Sequence, residues 1–253
     1  MINNGERKYK VTEGIETVSV TSCYANANNK KGTIKKLDKD TYVVLRTGEV
    51  RRYNSKSKEE EHNEEVARKL SMLREIIRAN VRSEKDFFAV LTYSCKQTDC
   101  VKMQEDIEKC IRRLRSNHKM QYIAIPELQR CGKWHIHLLI CDLDDGDVIT
   151  SRELKKAWEC GRVYIRPVRD TNAVSLYLSE NHGHKRIMRR SYPANMRLYR
   201  CSRGIKRPAT SIMGSNNVKK VVRGCKTLFR RRYKSADGYW HSIAVYQKNR
   251  TED

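Results

Sequence analysis

The order in which hydrophobic residues change their spacing constrains the fold of this sequence more than any other feature. Residues 87–93 form a short apolar and aromatic run typical of a buried strand, and residues 101–117 then repeat apolar residues at the three- and four-residue steps of a helix. Two further strand-like runs, 120–128 and 133–141, flank a short loop that contains Gly132. This pair predicts an antiparallel hairpin.

A second helix and strand follow the hairpin. Thr150 or Ser151 is placed to cap a helix that ends near Trp158, and Glu153 completes a capping box. Residues 162–168 then have a strand pattern, and a final helix extends from about residue 170 to residue 181. The order strand, helix, hairpin, helix, strand, helix predicts an α+β fold in which helices cover one face of an antiparallel sheet.

The chain on either side of this region differs in composition. Residues 1–55 are polar and predict an N-terminal arm, with one short strand-like run near residues 41–45. Residues 56–83 predict an amphipathic helix, residues 84–184 the folded core, and residues 185–253 a basic C-terminal extension. No apolar run has the roughly 18–20 residues that a membrane helix needs, and no secretory signal is visible. We therefore expect a cytoplasmic protein with no membrane partner.

Nine cysteines are spread along the chain, and none belongs to a Cys-x-x-Cys pair. An odd number without that spacing fits neither a disulfide framework nor a zinc ribbon, so we expect reduced thiols. A zinc site made by Cys131 with His135 and His137 is an alternative, although it lacks a fourth ligand.

Positive charge is concentrated in one segment. The chain has a formal net charge of +23, and residues 182–234 contain 17 lysines and arginines but neither aspartate nor glutamate. Such a segment favours a polyanionic partner, and nucleic acid presents a regular array of phosphates. Tyr192, Tyr199, Phe229 and Tyr233 lie among these cations and are suited to stack on unpaired bases. A merely solvated basic surface is the alternative, and two prolines argue against a helix on a membrane surface.

The predicted hairpin carries a cluster of metal-ligand residues. His135 and His137 are two residues apart on one strand, so their side chains share a face, with Cα atoms about 6.6 Å apart. If the turn is centred near Cys131, Glu127 lies directly across from His135. Two imidazoles and a carboxylate suit a divalent ion, Mg²⁺ or Mn²⁺ beside a phosphate, with Zn²⁺ also possible. The alternative is that the histidines fill a core face and the glutamate is solvated.

A metal next to a basic surface calls for a nucleophile. The candidates are water, Ser175 and Tyr177, and both side chains are on the helix after the fourth strand. Tyr177 fits covalent catalysis best, because a phosphotyrosine retains the energy of the broken phosphodiester for later rejoining. A phenol with a pKa of about 10 needs help, which a metal gives by polarising the phosphate. Packing is the alternative role for a single tyrosine on a helix.

Three segments, in this order, resemble the motifs of HUH endonucleases, and among them the single-tyrosine rolling-circle replication initiators (Rep proteins) of small bacterial plasmids and related mobile elements. The segment FFAVLTYS is similar to the first motif, a strand that ends in Thr-Tyr. The segment ELQRCGKWHIHLLI is similar to the second, with its glutamate and histidine pair, and AVSLYLSEN to the third, the helix with the nicking tyrosine. The downstream MRLYRCSRGIKRP also resembles a segment that often follows this helix.

The resemblance implies a ferredoxin- or RRM-like fold with a divalent ion held by Glu127, His135 and His137. It also implies that Tyr177 attacks a phosphate of single-stranded DNA, keeps the 5′ end as a phosphotyrosine and frees a 3′-OH that primes synthesis. The basic segment would grip an origin hairpin or its flanking duplex. The DNA-binding residues assigned to it are Lys185, Arg186, Arg189, Arg190, Arg197, Arg200, Arg203, Lys206 and Arg207.

One residue departs from the family pattern. The third motif commonly reads Tyr-x-x-Lys, whereas Glu180 stands three residues after Tyr177. In one interpretation Lys185, or another basic residue, supplies the missing cation. In a second, Glu180 is a general base that activates water or a DNA 3′-OH in the closing step. In a third, Glu180 is a solvated helix carboxylate.

Other functions stay open on the sequence alone. A conjugative relaxase or a single-tyrosine transposase uses the same chemistry, and a degenerate relative binds DNA without nicking it. A non-catalytic nucleic-acid-binding module is the alternative from a different class. The chain has no helicase-like phosphate loop, so a replication initiator of this kind needs a host helicase and polymerase as partners.

Overall fold

The computed structural model describes residues 8–23, 34–45, 47–52, 57–190, 192–193, 196–234 and 240–249, without the side chains of residues 23, 34, 58, 190 and 234. The chain divides into two compact units. The central unit is Val66–Pro208, and the terminal unit combines Met1–Glu65 with Ala209–Asp253. The predicted boundaries at residues 55, 83 and 184 do not coincide with this division.

The described strands are β1 (Lys8–Glu13), β2 (Thr17–Cys23), β3 (Ile34–Lys36), β4 (Thr41–Val44), β5 (Glu49–Arg52), β6 (Phe87–Tyr93), β7 (Gln121–Leu128), β8 (Trp134–Cys141), β9 (Gly161–Pro167), β10 (Arg200–Cys201), β11 (Ala209–Gly214), β12 (Lys226–Lys234) and β13 (Trp240–Gln247). The described helices are α1 (Lys58–Asn80), α2 (Cys100–Arg115), α3 (Ser151–Trp158), α4 (Thr171–Leu178), α5 (Gly183–Arg190) and α6 (Ser215–Val221).

The central unit contains an antiparallel sheet in the order β10-β7-β8-β6-β9. Helix α2 connects β6 to β7, and α3 connects β8 to β9, so the chain order is βαββαβ. This order and strand arrangement are those of a ferredoxin- or RRM-like fold, and the two-residue strand β10 extends the sheet beyond β7. The α+β prediction is confirmed.

Helices cover both faces of this sheet, whereas the sequence pattern predicted one. The first face packs against α2 and α3 through residues such as Leu91, Leu138 and Trp158. The second face packs against α1 and α4 through Leu139 and Leu178. The difference arises because both alternating sets of side chains on β6, β7 and β8 are largely apolar, which requires burial on both sides.

Local signals position the helices on the sheet. Thr150 caps α3, and its side chain and that of Glu153 form the predicted capping box. Asp170 caps α4 by accepting a hydrogen bond from the backbone N–H of Ala173. Helix α1 turns its apolar residues toward the second sheet face, where Leu73 is fully buried. The amphipathic helix predicted over residues 56–83 thus covers the face on which the candidate site lies.

The terminal unit has a five-stranded antiparallel sheet in the order β11-β1-β2-β13-β12 and a separate sheet in the order β3-β4-β5. Val11, Val18, Val20 and Val218 form its small core. The predicted polar arm, residues 1–55, therefore contributes strands over its described ranges. The apolar residues of β1 and β2 are few, and their partners β11 and β13 lie at the other end of the chain.

The eight cysteines whose side chains are described are all free, in agreement with the expected reduced thiols. Among the described helices, none is both long and apolar enough to cross a membrane.

Candidate active site

The β7–β8 hairpin brings the predicted ligand residues onto one face. Glu127 is the register partner of His135, as the sequence predicted, and His137 is one pair further along the ladder. Gly132 makes the turn possible, because its backbone has φ +75°, a conformation that side chains disfavour. All three side chains therefore project from the second face of the sheet, beneath α1 and α4.

Hydrogen bonds hold these side chains in place. The Nε2–H of the buried His137 donates to Oε2 of Glu127 at 2.6 Å. The side-chain amide of Gln129 donates to Nδ1 of His135 at 2.8 Å, which leaves Nε2 of that ring for another ligand. The two imidazole centroids are 4.8 Å apart. Sequence reasoning missed Gln129, although it stands two residues after Glu127.

The protonation states of this cluster suit metal coordination. Burial raises the pKa of Glu127, but the hydrogen bond from His137 and the charge of Lys185 outweigh it and lower that pKa to about 2. Burial and the neighbouring His137 lower the pKa of His135 to about 4. At neutral pH the carboxylate is ionised and the His135 ring neutral, as metal ligands must be.

The described residues contain no group of three His, Cys, Asp or Glu side chains already arranged around an ion position. This applies to the set of Glu127 with both histidines and to the alternative set with Cys131, whose exposed thiol lies 3.8 Å from Oε1 of Gln129. The donor chemistry of the first set fits Mg²⁺ or Mn²⁺. Bonds of about 2.1 Å place neighbouring ligand atoms about 3 Å apart, so the carboxylate and His137 would separate slightly and the Nε2 proton would leave.

Tyr177 lies against this cluster. Its ring meets the His137 ring edge-on at 5.5 Å and the Phe88 ring at 6.4 Å, and the residue is 48% exposed. Ser175, the other candidate side chain, is fully buried and donates its hydroxyl hydrogen bond to the carbonyl of Asn172. Of the two side chains on α4, only the tyrosine is open to a substrate.

Lys185 occupies the position of the missing cation. Its Nζ lies 4.0 Å from the centroid of the Tyr177 ring and donates to the Tyr177 carbonyl at 3.2 Å. The same nitrogen is 3.5 Å from Oε2 of Glu180 and 3.8 Å from Oε1 of Glu127. Helix α5 thus delivers a lysine, eight residues after the tyrosine, to the centre of the candidate site.

Glu180 is paired with two bases and influences the tyrosine. Its carboxylate lies 2.7 Å from Nε2 of His182 as well as beside Lys185. Burial, followed by the charges of Glu127 and Glu180, raises the pKa of Tyr177. The phenol therefore holds its proton at neutral pH, and a nearby acceptor would assist its removal.

The predicted DNA-binding residues of α5 differ in their surroundings. Arg186 is exposed. Arg189 is buried and donates to the carbonyl of Glu180 and to Oδ1 of Asn181, so its guanidinium is engaged within the protein. The side chain of Arg190 lies outside the described residues.

The remaining predicted cations, residues 197–207, lie beside the β7 edge of the sheet. A cavity of about 650 Å³ there, which we call the basic groove, is lined by Lys69, Arg197, Tyr199, Arg200, Arg203 and Arg207. Arg200 is paired with Glu108 at 2.6 Å. Lys206 is exposed, outside the lining of the groove, and its backbone N–H donates to Asn80.

Sequence reasoning missed one row of side chains on the site face. Arg162, Tyr164 and Arg166 alternate along β9 and are exposed. The register pairs Tyr164 with Val90, which itself pairs with His137, so this row is two strands from the ligand residues. Two strand spacings correspond to about 10 Å. The alternation of cation and ring in GRVYIRP is the signal that would have found it.

Residues 86–182, less than half of the chain, match a family model described as a replication-associated protein of the ORF2 type. The match contains Glu127, both histidines, Tyr177 and Glu180, and it ends before Lys185 and most of the basic groove. No curated protein and no solved structure matches the chain. The family match supports a replication initiator.

Proposed function

We propose that the protein initiates rolling-circle replication as a metal-dependent, tyrosine-type endonuclease that nicks and rejoins single-stranded DNA. The observation that carries this proposal is the contact of Tyr177 with both His137 and Lys185. A simple nucleic-acid-binding sheet has no need of a tyrosine held between a metal-ligand histidine and a lysine.

In the proposed mechanism Glu127, His135 and His137 hold the divalent ion. The bound ion supplies charge that polarises the scissile phosphate and stabilises its developing negative charge. The Tyr177 oxygen forms a bond to phosphorus while the bond to the 3′ oxygen breaks. Glu180 accepts the phenolic proton, and the leaving 3′ oxygen takes a proton from water. The products are a 5′-phosphotyrosine and a free 3′-OH, and rejoining follows the same steps in reverse.

The surrounding residues bind and orient the strand in this proposal. Lys185 stabilises negative charge on the phosphate and the departing phenolate, the role expected of the cation that Glu180 replaces. The β9 row of Arg162, Tyr164 and Arg166 offers phosphate contacts and a stacking surface beside the nucleophile. The exposed cations of the basic groove bind the origin hairpin or its flanking duplex. Host helicase and polymerase then extend the 3′ end.

The experiment that tests the proposal is a search for the covalent adduct. The protein is mixed with single-stranded oligonucleotides from candidate origin hairpins of its own replicon, with Mn²⁺ or with EDTA, and run on a denaturing gel. A slower protein band that requires the metal and is absent in Tyr177→Phe supports the proposal. Tyr122→Phe is the matched control, because that tyrosine lies on the opposite face of the sheet, and it should retain the band.

One observation favours a second function, DNA binding without nicking. The direct hydrogen bond between His137 and Glu127 satisfies both side chains in the absence of an ion. Under this alternative, DNA binding is tight and independent of metal, and no adduct forms on any oligonucleotide. A relaxase or a transposase would give the adduct but recognise a transfer origin or a transposon end, so the oligonucleotide that reacts distinguishes these roles.

A further inference from the structure

Strand β12 exposes cations and aromatic rings together at an edge of the terminal unit. Phe229 is 49% and Tyr233 37% exposed, and the three arginines between them are exposed as well. Within the described part of the chain, no carboxylate pairs with Arg230, Arg231 or Arg232. Charge on an edge strand alone is explained by protection against aggregation. That protection does not account for large rings left in water.

The strand register assigns these residues to two different faces. Phe229, Arg231 and Tyr233 share one face, because they alternate along the strand. His241 lies opposite Tyr233 on β13, and the two rings stack at 5.3 Å with an interplanar angle of 18°. We call Phe229, Arg231, Tyr233 and His241 the β12 face. The described residues of this face carry positive charge and no carboxylate.

The opposite face has a different role. Arg230 and Arg232 project there, and the Arg232 guanidinium lies 5.6 Å from the centroid of the Trp240 ring. Arg230 is the register partner of Ala244, which in turn pairs with the core residue Val20. This face therefore carries the small apolar core of the terminal unit.

The chemistry of the β12 face matches unpaired nucleotides. Phe229, Arg231 and Tyr233 follow one another at steps of about 6.6 Å, which gives the order ring, cation, ring. Unpaired bases stack on such rings whatever their sequence, while a guanidinium between them binds the phosphate backbone. In a duplex the base faces are covered by their neighbours, so the rings would have nothing to stack on.

We propose that the β12 face is a second binding surface for single-stranded DNA, separate from the candidate active site. This inference rests on the proposed function for the identity of the polymer, since a replication initiator encounters the strand that it has freed. Because both surfaces belong to one chain, a strand bound at one raises the effective concentration at the other. The terminal unit would then retain the displaced strand while the central unit performs the chemistry.

The test measures DNA binding without catalysis. Full-length protein in EDTA is titrated against a fluorescein-labelled 20-nucleotide oligothymidine and against a duplex of the same length, and anisotropy is recorded. For the double variant Phe229→Ala/Tyr233→Ala we expect an affinity for the single strand at least about tenfold lower, with duplex affinity changed less than about twofold. Phe229→Tyr/Tyr233→Phe keeps both rings and should bind like the parent protein.

Charge provides a matched control. Arg231→Ala and Arg230→Ala remove the same charge from opposite faces of β12, and we expect the first to weaken single-strand binding more than the second. Equal effects of the two, or equal losses for single strand and duplex in the aromatic variant, would overturn the proposal. Circular dichroism of each variant excludes misfolding as the cause.

The outcome is independent of the nicking assay. If the ring-dependent loss is found but Tyr177 forms no adduct, the β12 face stands and the proposed nuclease is wrong. If an adduct forms but the aromatic variant binds the single strand unchanged, the nuclease stands and the β12 face is wrong.

Discussion

At the scale of single residues, Lys185 shows how this site compensates for a substitution. Glu180 takes the place of a lysine one turn after the tyrosine, and Lys185 reaches the same surroundings from the next helix. Its ammonium contacts the Tyr177 ring and both nearby carboxylates. A cation held by two anions loses side-chain freedom and remains charged, which suits stabilisation of a transition state more than a loose contact with DNA.

We predict that Lys185→Ala lowers the rate of adduct formation about 100-fold and leaves single-strand affinity within about threefold of the parent. The physical reason is loss of positive charge where negative charge develops. Single-turnover rates at saturating oligonucleotide, together with anisotropy in EDTA, separate the two effects. The neighbouring Arg186→Ala should show the reverse pattern, weaker binding with a normal rate. Parallel losses of rate and affinity in Lys185→Ala would assign the lysine to DNA binding instead.

At the scale of secondary structure, what the sequence predicts depends on how far apart the partners are. Strands β6 to β9 and the helices between them follow local periodicity, and the predicted bounds agree with the structure within a few residues. The pairing of Glu127 with His135 followed from the length of one turn. Strand β2 pairs with β13, more than 200 residues away, and no local pattern reports such pairing. The position of Lys185 was equally hidden, because it depends on how α5 packs.

We predict that Leu73→Ala, on the covered side of α1, lowers the free energy of unfolding by about 2–5 kcal/mol, since it removes a fully buried side chain and leaves a cavity. Met72, its neighbour in sequence, is 44% exposed, and Met72→Ala should change stability by less than about 0.5 kcal/mol. Urea denaturation followed by circular dichroism measures both. Similar small effects would mean that α1 is not essential to the core beneath it.

At the scale of the whole molecule, charge governs affinity for DNA. A net charge of +23 favours any polyanion, and counterion release makes such binding weaken steeply with salt. Arginines that already have a carboxylate partner contribute less than those without one. Arg200, paired with Glu108, and Arg203, which is exposed, line the same basic groove and differ in this respect.

We predict that single-strand affinity falls about 100- to 1000-fold between 50 and 200 mM salt, as expected for roughly six phosphate contacts. Arg203→Ala should reduce the slope of log affinity against log salt by about 0.7, and Arg200→Ala by less. Anisotropy titrations at five salt concentrations give these slopes. A slope unchanged by Arg203→Ala would exclude the basic groove from the DNA path.

The terminal unit joins β1 and β2 to strands made late in synthesis, with the whole central unit between them. On a ribosome the β1–β2 hairpin emerges early, and β13 follows more than 200 residues later, a delay of roughly 10–40 s at ordinary elongation rates. During that interval the central unit can fold while both edges of the hairpin lack their partners. The nascent chain thus acquires its candidate catalytic centre before the β12 face exists, and the early hairpin is the segment most exposed to mispairing or to chaperones.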